Sequence, residues 1–268
     1  MCQTHALARS IRRSALQMVH RARASHIASA LSIADIVAVL YGQVMHQRPA
    51  EPRWPERDRF ILSKGHACSA VYAALAHVGY LELQRLEHFG LDHSELMNHI
   101  SHHVPGVEFS TGSLGHGLPF GVGKALAAQL RGQPWRTFVL LSDGEMAEGA
   151  NWEALLFAAH HRLDQLCALI DYNQLQSLGS VAETLALEPL ADKLLAFGCE
   201  VLQVDGHAHE QIAAALNRPA IGQPRVVIAH TVKGKGVSFM QNRVEWHYKN
   251  PDDAQLAQAL AELEADGA

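Results

Sequence analysis

Two hydrophobic periods alternate along the chain. Short apolar runs bounded by turn residues predict strands at Arg59 to Leu62, Thr137 to Leu141, Leu166 to Ile170, Glu200 to Val204 and Val226 to His230. Between them, apolar residues recur every three or four positions and predict helices. Leu7, Ile11, Ala15 and Met18 mark one face of an opening helix. Ser32 reads as the cap of a second helix, with Asp35 three residues on in place of the usual Glu or Gln. That helix runs to about Tyr41, with a stripe at Ile33, Ile36, Val37 and Leu40. Further helices are predicted from Cys68 to Val78, Leu83 to Phe89, Gly123 to Leu130 and Asn151 to His161, and over 189–197, 208–217 and 253–264. Strands alternating with helices indicate an α/β fold, a mostly parallel sheet with helices on both faces. No internal repeat or composition break divides the chain, so residues 1–268 read as one domain.

The polar interruptions carry the chemistry. Residues 47–58, rich in Pro and charge, read as a surface loop. Residues 92–121 fit no regular element, and Gly recurs there at 106, 112, 115, 117 and 121. An irregular stretch of that length in a compact domain is usually functional. Residues 137–176 form one βαβ unit whose two strands end at Ser142-Asp143-Gly144 and Asp171-Tyr172-Asn173. Parallel strands present their carboxyl ends on one edge, where ligands bind. Asp143 offers a carboxylate, Asn173 an amide oxygen and Leu175 a backbone carbonyl, a set that suits a hard divalent cation. Gly144 lets the backbone approach a phosphate, with N–H groups directed at it. Taken singly, Asp143 caps a helix and Asn173 makes a turn. The two strand ends together, beside the acidic turn Glu145 to Glu148, favour the cation.

Composition narrows the picture. At 268 residues, 48% hydrophobic and 18% charged, the chain suits a globular protein. A net charge of −5 advertises no surface for nucleic acid. Cys2, Cys68, Cys167 and Cys199 are scattered, with no CxxC pair, so neither a zinc site nor a disulfide framework is suggested and a reduced cytoplasm is expected. The basic N-terminus lacks the apolar core of a secretory signal, and no run approaches membrane-spanning length. Of the 18 histidines, the pairs His102-His103 and His160-His161 read as composition, whereas a few sit in Gly-rich turns that packing does not explain.

The motif Ser142-Asp143-Gly144, followed by Tyr172-Asn173 after 27 intervening residues, resembles the thiamine-diphosphate motif. Four more segments are similar to the N-terminal half of transketolase: Ser25-His26 with Ser32 to Asp35, Asp58 to His66, Pro105 to Glu108 with Thr111 to Gly117, and Lys233 to Gly236 with Trp246-His247. The resemblance runs from about Ser10 to Tyr248. It implies thiamine diphosphate and Mg²⁺ (or Ca²⁺ or Mn²⁺), the metal held by Asp143, Asn173 and the Leu175 carbonyl. It implies that Gly144, Glu145, His66 and His247 contact the diphosphate, and that Gly112, Ser113 and Leu114 present backbone to the cofactor. It places His26, His66, His99 and His247 around a donor sugar, where side chains titrating near neutrality can donate or accept a proton. It makes Glu148 an interface residue coupling paired sites.

Departures from the family pattern are Ser142 for the first glycine of the motif and Asn98-His99-Ile100 for Gly-His-Pro, which leaves the substrate sugar open. In the family the carboxylate that activates the cofactor lies in a following pyrimidine-binding domain. The resemblance therefore implies a split transketolase, completed by a C-terminal subunit in an α2β2 heterotetramer. Alternatives are another thiamine-diphosphate carboligase, such as a 1-deoxyxylulose-5-phosphate synthase-like enzyme, a non-catalytic scaffold subunit, and a nucleotide-binding dehydrogenase. The last is disfavoured because Gly115 to Gly121 has the wrong spacing for a dinucleotide fingerprint, with Pro119 inside it.

Overall fold

The fold is described from a computed structural model over residues 3–265; Cys2, one of the four scattered cysteines, lies outside the described residues. Five strands form one sheet in the order β1-β2-β3-β5-β4: β1 (Arg59–Leu62), β2 (Thr137–Ser142), β3 (Leu166–Tyr172), β4 (Glu200–Asp205) and β5 (Arg225–His230). Every neighbouring pair is parallel. The helices are α1 (Gln3–Ala22), α2 (Ile27–Val39), α3 (Cys68–His77), α4 (Gly117–Leu130), α5 (Gly149–His160), α6 (Val181–Thr184), α7 (Leu190–Ala196), α8 (His209–Asn217) and α9 (Asp253–Ala265).

Side chains alternate across a strand, so each apolar run feeds two cores. Phe60, Phe138, Leu140, Leu169 and Val227 face a core built with α1, α2, α3 and α8. Ile61, Val139, Leu141, Ile170 and Ile228 face a second core with α4, α5 and α7. Burial on both faces explains why the strands read as unbroken apolar runs.

Several boundaries differ from the sequence reading. α2 begins at Ile27 and is buried on every side, so Ser32 lies inside the helix instead of capping it. A helix that is apolar all round shows no start in its period. The chain enters it through His26, which sits at the N-cap with φ 73°. α4 starts at Gly117 instead of Gly123, because Pro119 falls in its first turn, where a missing N–H costs nothing. The Leu83–His88 segment is a 3₁₀ helix. Ile27–Val44, α2 with its π-helical extension, is long and apolar enough to cross a membrane by composition, contrary to the sequence reading. It is 89% buried within the fold, as a core helix is.

Candidate functional site

The site lies on the carboxyl edge of the sheet. Ser142 is in register with Asp171, so the ends of β2 and β3 stand side by side as the βαβ reading requires. The Asp143 N–H donates to the Asp171 carbonyl at 3.2 Å. The Asp143 carboxylate accepts the Gly144 N–H at 2.7 Å and the Gln174 N–H at 2.6 Å, which ties the two turns together. Gln174 takes φ 64°, turning the chain so that Asn173 Oδ1 accepts the Leu175 N–H at 3.1 Å. Asp143, Gly144, Asn173 and Leu175 all line one cavity of about 280 Å³.

Four segments bring histidines to the same cavity. His26 precedes α2, His66 follows β1, His99 lies in the irregular loop, and His247 ends a short 3₁₀ turn. The His26 ring centroid is 5.1 Å from His66, 5.9 Å from His99 and 5.0 Å from His247. Backbone contacts hold the loops in place: the His26 N–H donates to the His247 carbonyl at 2.9 Å, and the Ile100 N–H to the Gly65 carbonyl at 3.1 Å. Gly65 is required here, since a Cβ would fall 2.3 Å from the Thr111 carbonyl oxygen.

Electrostatics differ from the expectation of near-neutral titration. Burial, with His99 and the ammonium groups of Lys233 and Lys64, lowers His26 to about 4. Burial and Lys233 lower His247 to about 3. Burial and Lys64 hold His66 well below its ordinary value, and burial lowers His99. All four rings are therefore neutral at pH 7, each with one N–H to donate and one nitrogen to accept. Burial, reinforced by the charge of Asp171, raises Asp143 to about 6.

Two lysines complete the site. Lys64 and Lys233 are each 1% exposed. Lys64 Nζ donates to Asp171 Oδ2 at 2.5 Å. Asp171 also accepts from Ser32 Oγ at 2.6 Å, from Asn173 Nδ2 at 2.9 Å and from Thr231, and these partners, led by Lys64, lower its carboxyl against the effect of burial. Lys233 Nζ donates to the Leu175 carbonyl at 2.8 Å and the Gln176 carbonyl at 3.1 Å, and lies 3.2 Å from His247 Nδ1. Burial and Lys64 lower Lys233 to about 8. Both lysines fall within the transketolase-like segments, yet sequence reasoning assigns neither a role. Neither is distinguishable from a surface lysine until the fold buries it.

These residues fit a diphosphate held through a divalent cation. The available donors are oxygens, as Mg²⁺ requires. A carboxylate whose ionisation is opposed by burial, and a carbonyl that already attracts an ammonium, both mark a place where positive charge is favoured. Gln176 Nε2 is buried without a partner beside the cavity, a donor left for an anion. Among the described residues no group of three or more His, Cys, Asp and Glu could hold a metal ion. A cation here would therefore complete its shell from phosphate and water.

The transketolase thiamine diphosphate binding domain matches residues 3–266. The chain belongs to the transketolase family. It is 40% identical to the 6-deoxy-6-sulfo-D-fructose transketolase subunit of Clostridium sp. (strain MSTE9), covering 96% of this chain and 95% of that subunit. It is 42% identical to an apulose-4-phosphate transketolase subunit of Actinobacillus succinogenes, covering 89% and 87%. The crystal structure of Campylobacter jejuni transketolase superposes with a TM-score of 0.93 at 29% identity, covering 98% of this chain and 43% of that one. The chain thus spans less than half the length of the solved transketolases it matches, and nearly all of the subunits it matches.

Within this transketolase domain the remaining sequence-predicted residues divide. Gly112 and Leu114 line the cavity, and a Cβ on Gly112 would lie 3.3 Å from the His99 ring. Ser113 is exposed beside them and is not part of the lining. Glu145 is fully buried and turned away from the cavity: it accepts Ser63 Oγ at 2.5 Å and the Gly115 N–H at 2.9 Å, fastening the irregular loop to the strand ends. Glu148 is exposed, with its stem against Gly115. A larger cavity of about 640 Å³, between residues 51–57 and 102–107, contains none of the residues named for the site.

Proposed function

We propose that this chain is the diphosphate-binding subunit of a two-component transketolase, moving a two-carbon ketol unit from a ketose to an aldose. The observation that carries this reading is the joined edge of β2 and β3, where Asp143, Asn173 and the Leu175 carbonyl face two buried lysines and four neutral histidines across one cavity. Asp143, Asn173 and Leu175 would hold Mg²⁺, with Ca²⁺ or Mn²⁺ able to take its place. Gly144, His66, His247, Lys64, Lys233 and Gln176 would receive the diphosphate. Thiamine diphosphate, when bound, supplies the electron sink for breaking a carbon–carbon bond next to a carbonyl. His26, His66, His99 and His247 bind the sugar hydroxyls and move protons among them, a task suited to rings that are neutral at pH 7.

The partner would bring the pyrimidine-binding domain with its activating carboxylate, in an α2β2 assembly with Glu148 at the contact between the two chains. Two points support this. The Clostridium and Actinobacillus relatives of matching length carry the word subunit in their names. The cavity of about 280 Å³ also falls just below the roughly 300–1,000 Å³ of a small-molecule site, as one wall of a shared site does. Free buried thiols at Cys68, Cys167 and Cys199 suit a reducing cytoplasm.

The donor sugar is proposed to be a specialised one. Ile100 replaces the family's proline and donates its N–H to Gly65, a bond proline cannot make, so His99 is anchored differently. Binding of thiamine diphosphate tests the site. Asp143→Ala should abolish the Mg²⁺-dependent heat of binding in titration calorimetry. Unchanged affinity would show that the metal site is elsewhere.

A further inference from the structure

Away from the cavity, a second buried cluster gathers on Asp35, the residue the sequence reads as part of a helix cap. It lies in the middle of α2 and is buried. Arg12 of α1 grips its carboxylate with both terminal nitrogens, at 3.0 and 2.5 Å. His207, in the turn after β4, contacts it through Nδ1 at 2.7 Å, and His209 through Nε2 at 3.1 Å. Burial would raise this carboxyl, but Arg12 and the two histidines hold it well below the ordinary range.

The outer atoms of the cluster all lead to one place. His207 Nε2 accepts the Val232 N–H at 2.8 Å. Its Nδ1 therefore carries the proton and donates to Asp35. Arg12 Nε donates to the Lys235 carbonyl at 3.2 Å. Val232 and Lys235 flank Lys233, which lines the cavity. The turn between them has little freedom of its own: Gly234 takes φ 80°, and a Cβ there would sit 2.5 Å from the Met240 carbonyl oxygen.

We propose that Asp35, through Arg12 and His207, is a positioning device that holds the Val232–Lys235 turn and thereby aims the Lys233 ammonium at the diphosphate end of the cavity. A buried lysine on a turn has many rotamers to lose. Clamping the backbone on both sides fixes the φ and ψ angles that carry the side chain before an anion arrives, the principle of preorganisation. His207 is the element that transmits the clamp, because its ring is the only bridge from Asp35 to the Val232 amide among the described residues. The inference rests on the diphosphate reading of the site.

The test separates the two ends of the bridge. His207→Gln keeps an acceptor near the position of Nε2, whereas His207→Asn keeps only a donor near Nδ1. Amide hydrogen exchange at Val232 would be measured on the full chain, and Mg²⁺–thiamine diphosphate affinity on the chain combined with its co-purifying partner. His207→Gln cuts the bridge at its Asp35 end, so it should lose part of the protection of Val232 and bind several-fold more weakly; wild-type protection and affinity in this variant would show that Asp35 does not anchor the turn. His207→Asn should lose the protection and bind about tenfold more weakly, approaching Lys233→Met. The double variant His207→Asn, Lys233→Met should bind no more weakly than Lys233→Met alone, because the device acts only through that side chain. Wild-type protection of Val232 in His207→Asn, or an additive double variant, would overturn the proposal. Absence of thiamine diphosphate binding by the wild-type chain combined with its co-purifying partner would instead count against the proposed function. Hydrogen exchange would still decide whether the clamp exists.

Discussion

Asp143 is a buried carboxylate kept at the edge of ionisation. Its value of about 6, against an unfolded value near 4, means the folded chain holds an extra proton in that window. The stability linked to that proton is full below about pH 4 and is lost as the pH rises through about 6. A cation reverses the sign, since it favours the ionised form. Asp143→Asn keeps an uncharged group at every pH. In the metal-free protein it should be more stable than the wild type above pH 6, by up to about 3 kcal/mol, with the difference vanishing near pH 4. Thermal unfolding across that range checks this. Added Mg²⁺ should raise the midpoint of the wild type alone. A variant less stable than the wild type at pH 7 without metal would contradict the electrostatic reading.

Among the elements, α2 shows how far a pattern carries. Sequence located the helix but not its start, and so gave Ser32 the role of a cap. In the fold Ser32 Oγ donates to Asp171 at 2.6 Å, beneath the ends of β3 and β5. The two roles predict different mutants. Asp is as good as Ser at a cap, but at position 32 it sets a second carboxylate against buried Asp171. Ser32→Asp should therefore destabilise by about 3 kcal/mol or more and Ser32→Ala by about 1–2, as read by urea unfolding. A neutral Ser32→Asp would restore the cap.

The strand ends were legible in the sequence because their apolar runs stop sharply at Asp143 and Asp171. Of the four histidines only His66 adjoins a glycine; His26, His99 and His247 were legible through the resemblance of their segments to transketolase. Lys64, Lys233 and the Asp35 cluster were not, because their roles come from long-range burial: His207 meets Asp35 across 172 positions of sequence. Glu145 shows the opposite error. The family resemblance implies that it contacts the cofactor, while its side chain turns inward to Ser63 and Gly115.

At the scale of the whole molecule, the sheet is the diphosphate-holding half of a transketolase site. The cavity opens at the carboxyl edge, and the exposed Glu148 stands on the turn just beyond β2. A partner seated at that edge could supply the carboxylate that the proposed reaction needs. The central claim is tested most directly by assaying ketol transfer with this chain alone, with its co-purifying partner alone, and with both, in the presence of thiamine diphosphate and Mg²⁺. Activity should appear only in the mixture, and should be absent when this chain carries Asp143→Ala. Ketol transfer by this chain alone would contradict the shared site.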